Sequence, residues 1–473
     1  MTHDSRSMLR AVCFAALFAC FWTSSLMVRQ SAADVPFFLH YTSRAVEIAV
    51  CLVVALLTWR RGVRERDLRR GACGAVTAYV LIELVRLVAS PQLPGATVSL
   101  LSAVSGVANG ASVALLVLLF ARGLCALGLR QSVVIVPASL GCSHAFFLLA
   151  GGLPTVAIPW TKLVLLAVAA VGLALWLHAE SVEELTSVAA PVLPSASDAD
   201  KTPLARLTLW LGMAVFPLLY GFMAQICAAA QVSSGLFDFS TELVDVACMG
   251  ALAVGALFHR EQLDVEGAFA VILSVFATAF LFLPVFWGNE VFIAGFIMKC
   301  GFAVYTAMLW VALLRTVEDG AARCFGVFGL ALGVYHAALM VGRLAAYGLT
   351  TYGLLSYQTV SFAALAVVWL LSMVALAVLF ANRRSHARAA RVLAQKPRDY
   401  EEAFDAFAAS WGLSDRERAV CREYARGRTV DYIAANLHVS QETVKTHLKR
   451  AYAKTDCHSR QDLLDRIDGC RMK

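Results

Sequence analysis

The chain has 473 residues, of which 59% are hydrophobic and only 15% are charged, against about 45–50% and about 25% in soluble globular proteins. With a mean hydropathy of +0.70, this composition excludes an ordinary soluble protein and indicates a chain that lies mostly in lipid. Charge is unevenly spread, because residues 382–473 carry six of the seven net positive charges. A short basic segment of this kind favours a polyanionic partner.

Runs of about 20 apolar residues predict twelve membrane helices, since a helix of that length crosses a hydrocarbon core about 30 Å thick. The predicted spans are residues 8–28, 36–59, 71–90, 98–120, 132–150, 159–178, 207–230, 241–259, 267–287, 290–314, 322–342 and 357–381. We interpret the first as a membrane helix and not a signal peptide, because it has the length of a full span and no small-residue cleavage site. The expected fold class is therefore all-α, with a polytopic twelve-helix bundle in residues 1–381.

The distribution of Lys and Arg between alternate loops predicts the orientation of this bundle. Fifteen cations fall on the side of the two chain ends: Arg6, Arg10, Arg60, Arg61, Arg64, Arg66, Arg69, Arg70, Arg122, Arg130, Lys201, Arg206, Arg260, Arg315 and Arg323. The opposite loops hold only Arg29 and Arg343. By the positive-inside rule both termini are cytoplasmic in a multi-pass protein of the cell membrane. Six further cations in 383–398 follow the last span, and we interpret them as a topology anchor at anionic headgroups.

The longest predicted loop, 179–206, contains Pro191, Pro194 and Pro203 and has the composition of a linker. It divides the bundle into halves, 1–178 and 207–381. This six-plus-six layout resembles the major facilitator superfamily, whose halves are parallel six-helix repeats. The loop after the second helix, residues 60–67, has the charge of that family's Gly-x-x-x-Asp-Arg signature but not its order. The resemblance therefore concerns layout only.

Ionisable side chains inside the spans are costly in lipid and usually face a bundle interior or a cavity. Arg44 and Glu47 are three residues apart, as are Glu83 and Arg86, so each pair shares a helix face and can neutralise itself. Lys299 lies well inside the tenth span, where a structural ion pair and a cavity or counter-ion role both remain open. These five residues are our candidate intramembrane sensing or ion-pair positions.

Other ionisable residues in the spans are His144, Lys162, Glu242, Asp245 and His336. We interpret Lys162 and Glu242 as helix-end side chains that reach the membrane surface. The thirteen cysteines form no C-x-x-C pair, and the spans show no metal-ligand spacing, nucleophile triad or phosphate loop. We therefore predict no catalytic residue, no metal, no cofactor and no enzymatic activity.

The basic end of the chain begins with a linker and lead-in helix, 382–412, and continues as a small domain, 413–473. Ser414 and Glu417 form a capping-box pattern that begins a first helix, and Gly427 ends it. A second short helix covers 430–437, a third begins after Ser440 and runs to about residue 456, and a fourth covers 460–468. Four short helices in this arrangement predict a cytoplasmic helix-turn-helix domain.

The third helix has two distinct faces at 100° per residue. Val444, Leu448 and Ala451 share the face that must point into the core. The opposite face carries Lys445, Thr446 and Lys449, which are small or basic and can enter a major groove about 12 Å wide. His447, Arg450 and Lys454 flank this face, where they can reach phosphates.

These features resemble the helix-turn-helix domain of LuxR-type transcriptional regulators. The matching positions are Leu413, Ser414, Arg416, Glu417, Ala425, Gly427, Ile433, Ala434, Leu437, Val439, Ser440, Thr443, Val444, Lys445, His447, Lys454, Ser459 and Arg460. The resemblance implies base-edge positions at Lys445, Thr446 and Lys449, and phosphate or core roles for Thr443, His447 and Lys454. Thr455 and Asp456 depart from the family's usual apolar pair, which predicts a loosened join to the fourth helix.

Combined with the apolar body, this resemblance implies a membrane-embedded one-component transcriptional regulator. The expected partners are promoter DNA as a duplex, the lipid bilayer and an unknown small-molecule ligand, with RNA polymerase as a further candidate. Family members pair through the fourth helix, which implies a homodimer on DNA. Two alternatives remain open: a secondary carrier with a regulatory DNA-binding tail, and a membrane protein whose tail binds another protein.

Overall fold

The computed structural model describes residues 3–31, 37–89, 92, 94–154, 156–186, 203–229, 235–258, 265–288, 290–317, 321–354 and 356–471. Every regular secondary-structure element with more than one residue in this described part is a helix, which confirms the predicted all-α class. The chain divides into two compact units, 1–376 and 377–473. The first is the membrane unit, and the second is the C-terminal unit.

Twelve helices begin in the membrane unit: α1 (His3–Ser31), α2 (Phe37–Arg61), α3 (Glu65–Ala89), α4 (Gly95–Leu127), α5 (Leu129–Ala150), α6 (Ala157–Thr186), α7 (Pro203–Ala229), α8 (Gly235–Phe258), α9 (Val265–Phe282), α10 (Val291–Val317), α11 (Ala321–Thr351) and α12 (Tyr357–Ser410). Within the described residues, ten are long and apolar enough to cross a membrane, and α7 and α9 contribute shorter apolar stretches, Gly212–Ala228 and Ala268–Phe282. The chain is therefore a multi-pass membrane protein.

Both ends of the predicted linker between the halves, 179–206, are helical. Residues 179–186 continue α6 and 203–206 begin α7, while 187–202 lie outside the described residues. Pro203 is the first residue of its helix, where a missing N–H costs nothing. Helix α12 likewise includes residues 382–410, most of the predicted basic linker. This stretch is rich in Ala and Arg, which are strong helix formers.

The two six-helix halves of the membrane unit repeat one packing pattern. Helix α1 packs on α5 as α7 packs on α11, and α2 and α3 pack on α4 as α8 and α9 pack on α10. Contacts between the halves follow the same rule, because α2 packs against α11 and α5 against α8. A shift of six helices thus relates each of these pairs to another, as expected for parallel repeats.

Glycines allow the closest of these helix approaches. A Cβ added at Gly110 on α4 would lie 2.2 Å from the Ser43 carbonyl oxygen on α2, and one at Gly342 on α11 would lie 2.0 Å from that of Leu218 on α7. Small residues let transmembrane backbones approach in this way. The sequence around Gly110 therefore serves helix packing.

The C-terminal unit contains the end of α12 and four short helices, α13 (Asp415–Ala425), α14 (Val430–Asn436), α15 (Gln441–Thr455) and α16 (Arg460–Arg471). All four match the predicted helices to within a few residues. Phe404 and Phe407 of the lead-in segment are fully buried with Val420, Ile433 and Val444 in one core. Every buried residue of this core lies between positions 403 and 467, so residues 399–473 contain a complete hydrophobic core.

Candidate nucleic-acid interface and intramembrane charge clusters

The apolar face of helix α15 packs into the core of the C-terminal unit. Val444, Leu448 and Ala451 are buried as predicted, and Thr455 joins them with no exposed surface. Helices α13 and α14 both pack against α15, so the opposite face of α15 is left to solvent. This arrangement is the helix-turn-helix geometry in which a second helix enters the major groove.

Side-chain caps set where these helices begin. Ser414 and Glu417 form the complete predicted capping box on α13. Thr429 caps α14 by accepting from the backbone N–H of Tyr432 at 3.3 Å, and Ser440 caps α15 by accepting from that of Thr443 at 3.1 Å. Each cap satisfies a backbone donor that has no partner within its helix. The turn that presents α15 is therefore locally determined.

The solvent face of α15 carries the predicted base-edge residues. Lys445, Thr446 and Lys449 are exposed, and so is Arg450 beside them. The Thr446 hydroxyl donates to the Glu442 carbonyl oxygen at 2.8 Å, and the Lys445 ammonium lies 3.3 Å from the Glu442 carboxylate. A surface ion pair of this kind is weak, so the Lys445 ammonium can exchange Glu442 for a DNA acceptor.

The three residues expected in phosphate or core roles occupy different surroundings. Thr443 is partly buried, and its hydroxyl lies 2.8 Å from that of Ser440. His447 is also partly buried, and its Nδ1 has no hydrogen-bond partner within the described residues. The Lys454 ammonium donates to Glu417 at 2.7 Å and to the Gly412 carbonyl oxygen at 3.2 Å. Lys454 thus joins α15 to the start of α13.

The bond between Lys454 and Glu417 makes the C-terminal unit sensitive to acid. Burial acts to raise the pKa of Glu417, but the Lys454 ammonium and the Ser414 backbone N–H, which donates at 2.9 Å, lower it to about 2 from an ordinary value of 4.5. A carboxylate with a lowered pKa stabilises the fold above its unfolded-state value. This stabilisation is lost as the pH falls through the folded-state value.

We therefore expect Glu417→Gln to destabilise residues 399–473 by about 1–2 kcal/mol at pH 7, because the Lys454 ammonium loses its carboxylate partner. The capping box is kept, since a glutamine oxygen also accepts from the Ser414 backbone N–H. The loss of stability in the wild-type fragment between about pH 4.5 and 2 should also shrink in this variant. Urea unfolding followed by circular dichroism at pH 7 and pH 3 measures both effects. Glu423→Gln is the control, because its partner Arg426 is 45% exposed and such pairs contribute little. Equal losses in the two variants would contradict the assigned role of Glu417.

The join between α15 and α16 is ordered by contacts that the sequence did not indicate. Asp456 adopts a left-handed conformation, φ 51°, and ends α15. Its backbone carbonyl accepts from the Arg466 guanidinium at 3.0 Å, and the buried Thr455 hydroxyl donates to the Ala451 carbonyl at 2.9 Å. The Thr455 bond lies within α15, and the Arg466 contact with Asp456 is the bond that reaches from α16 to the end of α15. The loosened join stays a prediction.

Inside the membrane unit, the first predicted same-helix pair is part of a larger cluster. The Arg44 guanidinium lies 2.5 Å from the Glu47 carboxylate, and His336 of α11 places its Nε2 3.5 Å from the other Glu47 oxygen. We call Arg44, Glu47 and His336 the α2–α11 cluster. It joins the two halves, because α2 and α11 belong to different halves.

The second predicted pair lies within the N-terminal half. Arg86 donates to Glu83 at 2.7 Å, and the Ser105 hydroxyl donates to the same carboxylate at 2.5 Å. The Lys162 ammonium lies 3.5 Å from Glu83 and 5.4 Å from the Tyr79 ring centroid, with 5% of the residue exposed. The interpretation of Lys162 as a helix-end side chain that reaches the surface is therefore wrong. It neutralises a buried carboxylate on another helix.

A third set of charges, the α5–α8 cluster, consists of His144, Glu242, Asp245 and Lys299. His144 Nδ1 hydrogen-bonds to Glu242 and lies 3.3 Å from Asp245, and the Lys299 ammonium of α10 lies 2.5 Å from Asp245. Glu242 is buried, so placing it at the membrane surface is also wrong. Lys299 forms an ion pair, one of the two roles that its position left open.

Each of the two units is similar to known proteins. Residues 412–467 match GerE, the luxR family of bacterial regulatory proteins. A nitrate/nitrite response regulator protein homolog of Haemophilus influenzae is 46% identical over 48 residues, which are 10% of this chain and 23% of that protein. The chain thus matches about a quarter of the length of this curated relative.

Solved transporter structures resemble the membrane unit in fold. A bacterial homologue of the iron transporter ferroportin matches with a TM-score of 0.57 at 13% identity, over 78% of this chain and 98% of that one. The human organic anion transporter MFSD10 gives 0.52 at 14% identity, over 79% and 100%. The major facilitator superfamily proton:xylose symporter XylE gives 0.51 at 11%, over 78% and 94%. The chain therefore joins a membrane unit with a major facilitator-like fold to a luxR-type DNA-binding domain.

Proposed function

We propose that this protein is a one-component transcriptional regulator of the cell membrane, in which the membrane unit is the sensor and the C-terminal unit binds promoter DNA. The observation that carries the proposal is the joining of the two folds in one chain. The described residues contain only helices between the N-terminal end and α15, so the described part offers no receiver-type α/β domain. The membrane unit is therefore the route that we propose for the input signal.

The proposed orientation places both termini in the cytoplasm, where the DNA is. Its support is the excess of cations in the loops on the side of the chain ends. The described residues at this side include Arg60 and Arg61 in the last turn of α2 and Arg64 between α2 and α3. Proposed partners are duplex DNA and a second copy of the chain, with a small-molecule ligand in the bundle and contact with RNA polymerase at the promoter.

The proposed DNA-reading residues are Lys445, Thr446 and Lys449, with Thr443, His447, Arg450 and Lys454 beside them. Lys445 and Lys449 are one turn apart on the exposed face of α15, so one major groove can receive both. The role of Lys454 at phosphate would require its ammonium to contact DNA while it remains beside Glu417. The Lys454 side chain is 43% exposed, which leaves room for both contacts.

The experiment that tests this function is a footprint by the full-length protein in lipid nanodiscs on fragments of its own genomic DNA. We expect discrete protected sites, and we expect their loss in a variant truncated after Gly412, which keeps helices α1 to α12. Protection that is absent from the full-length protein, or that persists in the truncated one, would contradict the proposal.

A transporter that carries a regulatory DNA-binding tail is the second candidate. The observation in its favour is the transporter-like fold of the membrane unit, which covers 94–100% of the length of the solved transporters described above. Solute flux in proteoliposomes separates this candidate from a sensor, because a sensor binds its ligand without net transport.

A further inference from the structure

Two cysteine thiols from different halves of the membrane unit face each other across a helix contact. Cys125 lies on α4 and Cys324 on α11, and their Sγ atoms are 3.4 Å apart. Helix α4 belongs to the N-terminal half and α11 to the C-terminal half, and the two helices pack against each other. Because 199 positions separate the two residues in the chain, no sequence motif marks the pair.

The pair lies at one end of the bundle. Cys125 is the third residue from the end of α4, and Cys324 is the fourth residue of α11. Arg122, one turn before Cys125, pairs at 3.2 Å with Glu65, the first residue of α3. In the proposed orientation this end of the bundle is cytoplasmic. Thiols in that compartment are kept reduced, and a disulfide there is usually transient and serves catalysis or redox sensing.

The two thiols differ in how accessible they are. Cys125 is partly exposed, whereas Cys324 has no exposed surface. The Arg122 guanidinium acts electrostatically on both sulfurs, and a cation beside a partly exposed thiol is typical of reactive cysteines. An oxidant therefore reaches Cys125 first, and Cys324 is placed to act as the resolving thiol.

The two sulfurs are already close to bonding distance. The sulfurs of a disulfide are about 2.05 Å apart, so the two Sγ atoms must approach by about 1.3 Å. Rotation about the Cα–Cβ bonds, together with a small shift of the two helix ends, supplies this distance. A bond between the two sulfurs would join α4 to α11, and with them the N-terminal half to the C-terminal half.

We propose that Cys125 and Cys324 form a reversible disulfide when the protein meets a hydroperoxide, and that this bond cross-links the two halves at their cytoplasmic ends. The Cys125 sulfur attacks one peroxide oxygen, the O–O bond breaks, and the leaving oxygen takes up the thiol proton. Cys125 is then a sulfenic acid. The Cys324 sulfur attacks the sulfenic sulfur, and the hydroxyl group leaves as water with the Cys324 proton. Two thiols thus lose two electrons and two protons, and hydrogen peroxide becomes two water molecules.

Cellular thiols restore the reduced pair. A thiolate of the reductant attacks the disulfide and forms a mixed disulfide, and a second thiol then releases the remaining cysteine, so that the reductant leaves as its own disulfide. The regulatory consequence rests on the proposed function. A cross-link that fixes one arrangement of the two halves gives the proposed sensor an oxidant as its stimulus.

Peptide mass spectrometry of the full-length protein in nanodiscs tests the bond, because trypsin releases each of the two cysteines in a separate peptide. Residues 123–130 contain Cys125, and residues 324–343 contain Cys324. After treatment with hydrogen peroxide and blocking of free thiols, the two peptides should be joined, with a mass two hydrogen atoms below their sum. Dithiothreitol should separate them, and the untreated protein should show only traces of the joined form.

Single substitutions separate this bond from other oxidation. The wild-type melting temperature should rise by several degrees on oxidation, since a bond between distant positions restricts the unfolded chain. Cys125→Ala and Cys324→Ala should each abolish this rise. Cys73→Ala, which removes an exposed thiol of α3, is the control and should retain both the rise and the joined peptides. In Cys324→Ala the oxidation of Cys125 should stop at the sulfenic acid, which dimedone labels. If Cys324→Ala does not fold, Cys125→Ala alone decides.

The proposal is overturned if hydrogen peroxide leaves the two wild-type peptides separate, or if peptide 123–130 is joined instead to the same peptide of a second copy. Equal dimedone labelling of Cys125 in the wild type and in Cys324→Ala would remove the resolving role of Cys324. No DNA is present in these measurements, so a failed footprint removes the proposed function and leaves the disulfide.

The regulatory consequence has a test of its own, the footprint of the full-length protein before and after oxidation. We expect protection to change in the wild type and to stay constant in Cys324→Ala. Equal protection by the oxidised and reduced wild type, or a change that persists in Cys324→Ala, would remove the oxidant as a stimulus.

Discussion

Replacing Lys449 by alanine should weaken binding of the full-length protein to its preferred DNA sequence by about 5–150-fold. The side chain is exposed on α15, one turn beyond Lys445 on the face opposite the buried Val444 and Leu448. A good side-chain contact to a base edge discriminates by about 1–3 kcal/mol, and each 1.4 kcal/mol is tenfold in affinity. The affinity for random DNA should fall much less, so the ratio of specific to non-specific affinity should decrease.

The measurement is a pair of binding curves, on a site selected from a random library and on unrelated DNA, at several salt concentrations. Arg450→Ala is the control for charge alone, because this exposed side chain lies beside the reading face. It should weaken binding to both DNAs alike and lower the salt slope by about one. Equal losses on both DNAs for Lys449→Ala would remove its base-reading role and leave it a phosphate contact.

The C-terminal unit could be predicted closely from the sequence because its signals are local. Ser414, Thr429 and Ser440 each bond a backbone N–H three residues on, and the apolar residues of α15 repeat with the helical period. Such patterns depend on neighbours within one turn. Contacts between helices depend on packing, which is why the bond from Lys454 to Glu417, 37 positions earlier, was not predicted.

The same distinction separates what could be predicted in the membrane unit from what could not. The spans and the pairs Arg44 with Glu47 and Glu83 with Arg86 follow from composition and from the three-residue spacing on a helix. The partners of His144 and Lys162 lie 98 and 79 positions away. Because Lys162 and Glu242 lie near the ends of predicted spans, the sequence suggested that both side chains reach the membrane surface. In the structure, both are buried between helices.

Dimerisation is expected to control DNA binding, because one recognition helix buries too little surface for tight promoter binding. Specific affinities of about 10⁻⁸–10⁻¹¹ M are common for proteins that bind two half-sites one helical turn apart. In the C-terminal unit, Leu463 and Ile467 of α16 are buried in the unit's own core. Gln461 and Asp465 are exposed and Leu464 is only partly buried, so this outer face of α16 is free to meet a second copy.

Fusing residues 399–473 to a constitutive dimeriser should therefore raise affinity for an inverted repeat by about 10²–10⁴-fold over the unfused fragment, through effective concentration alone. The fragment is suitable for this test because its core is complete between positions 403 and 467. A fusion to a monomeric variant of the same dimeriser controls for added mass, and a half-site should show little gain. In the full-length protein, the approach of two membrane units would supply the same advantage, and a ligand that changes this approach would regulate transcription. If the unfused fragment binds the inverted repeat as tightly as the forced dimer does, dimerisation is not the controlled step and the membrane unit must act on α15 by another route.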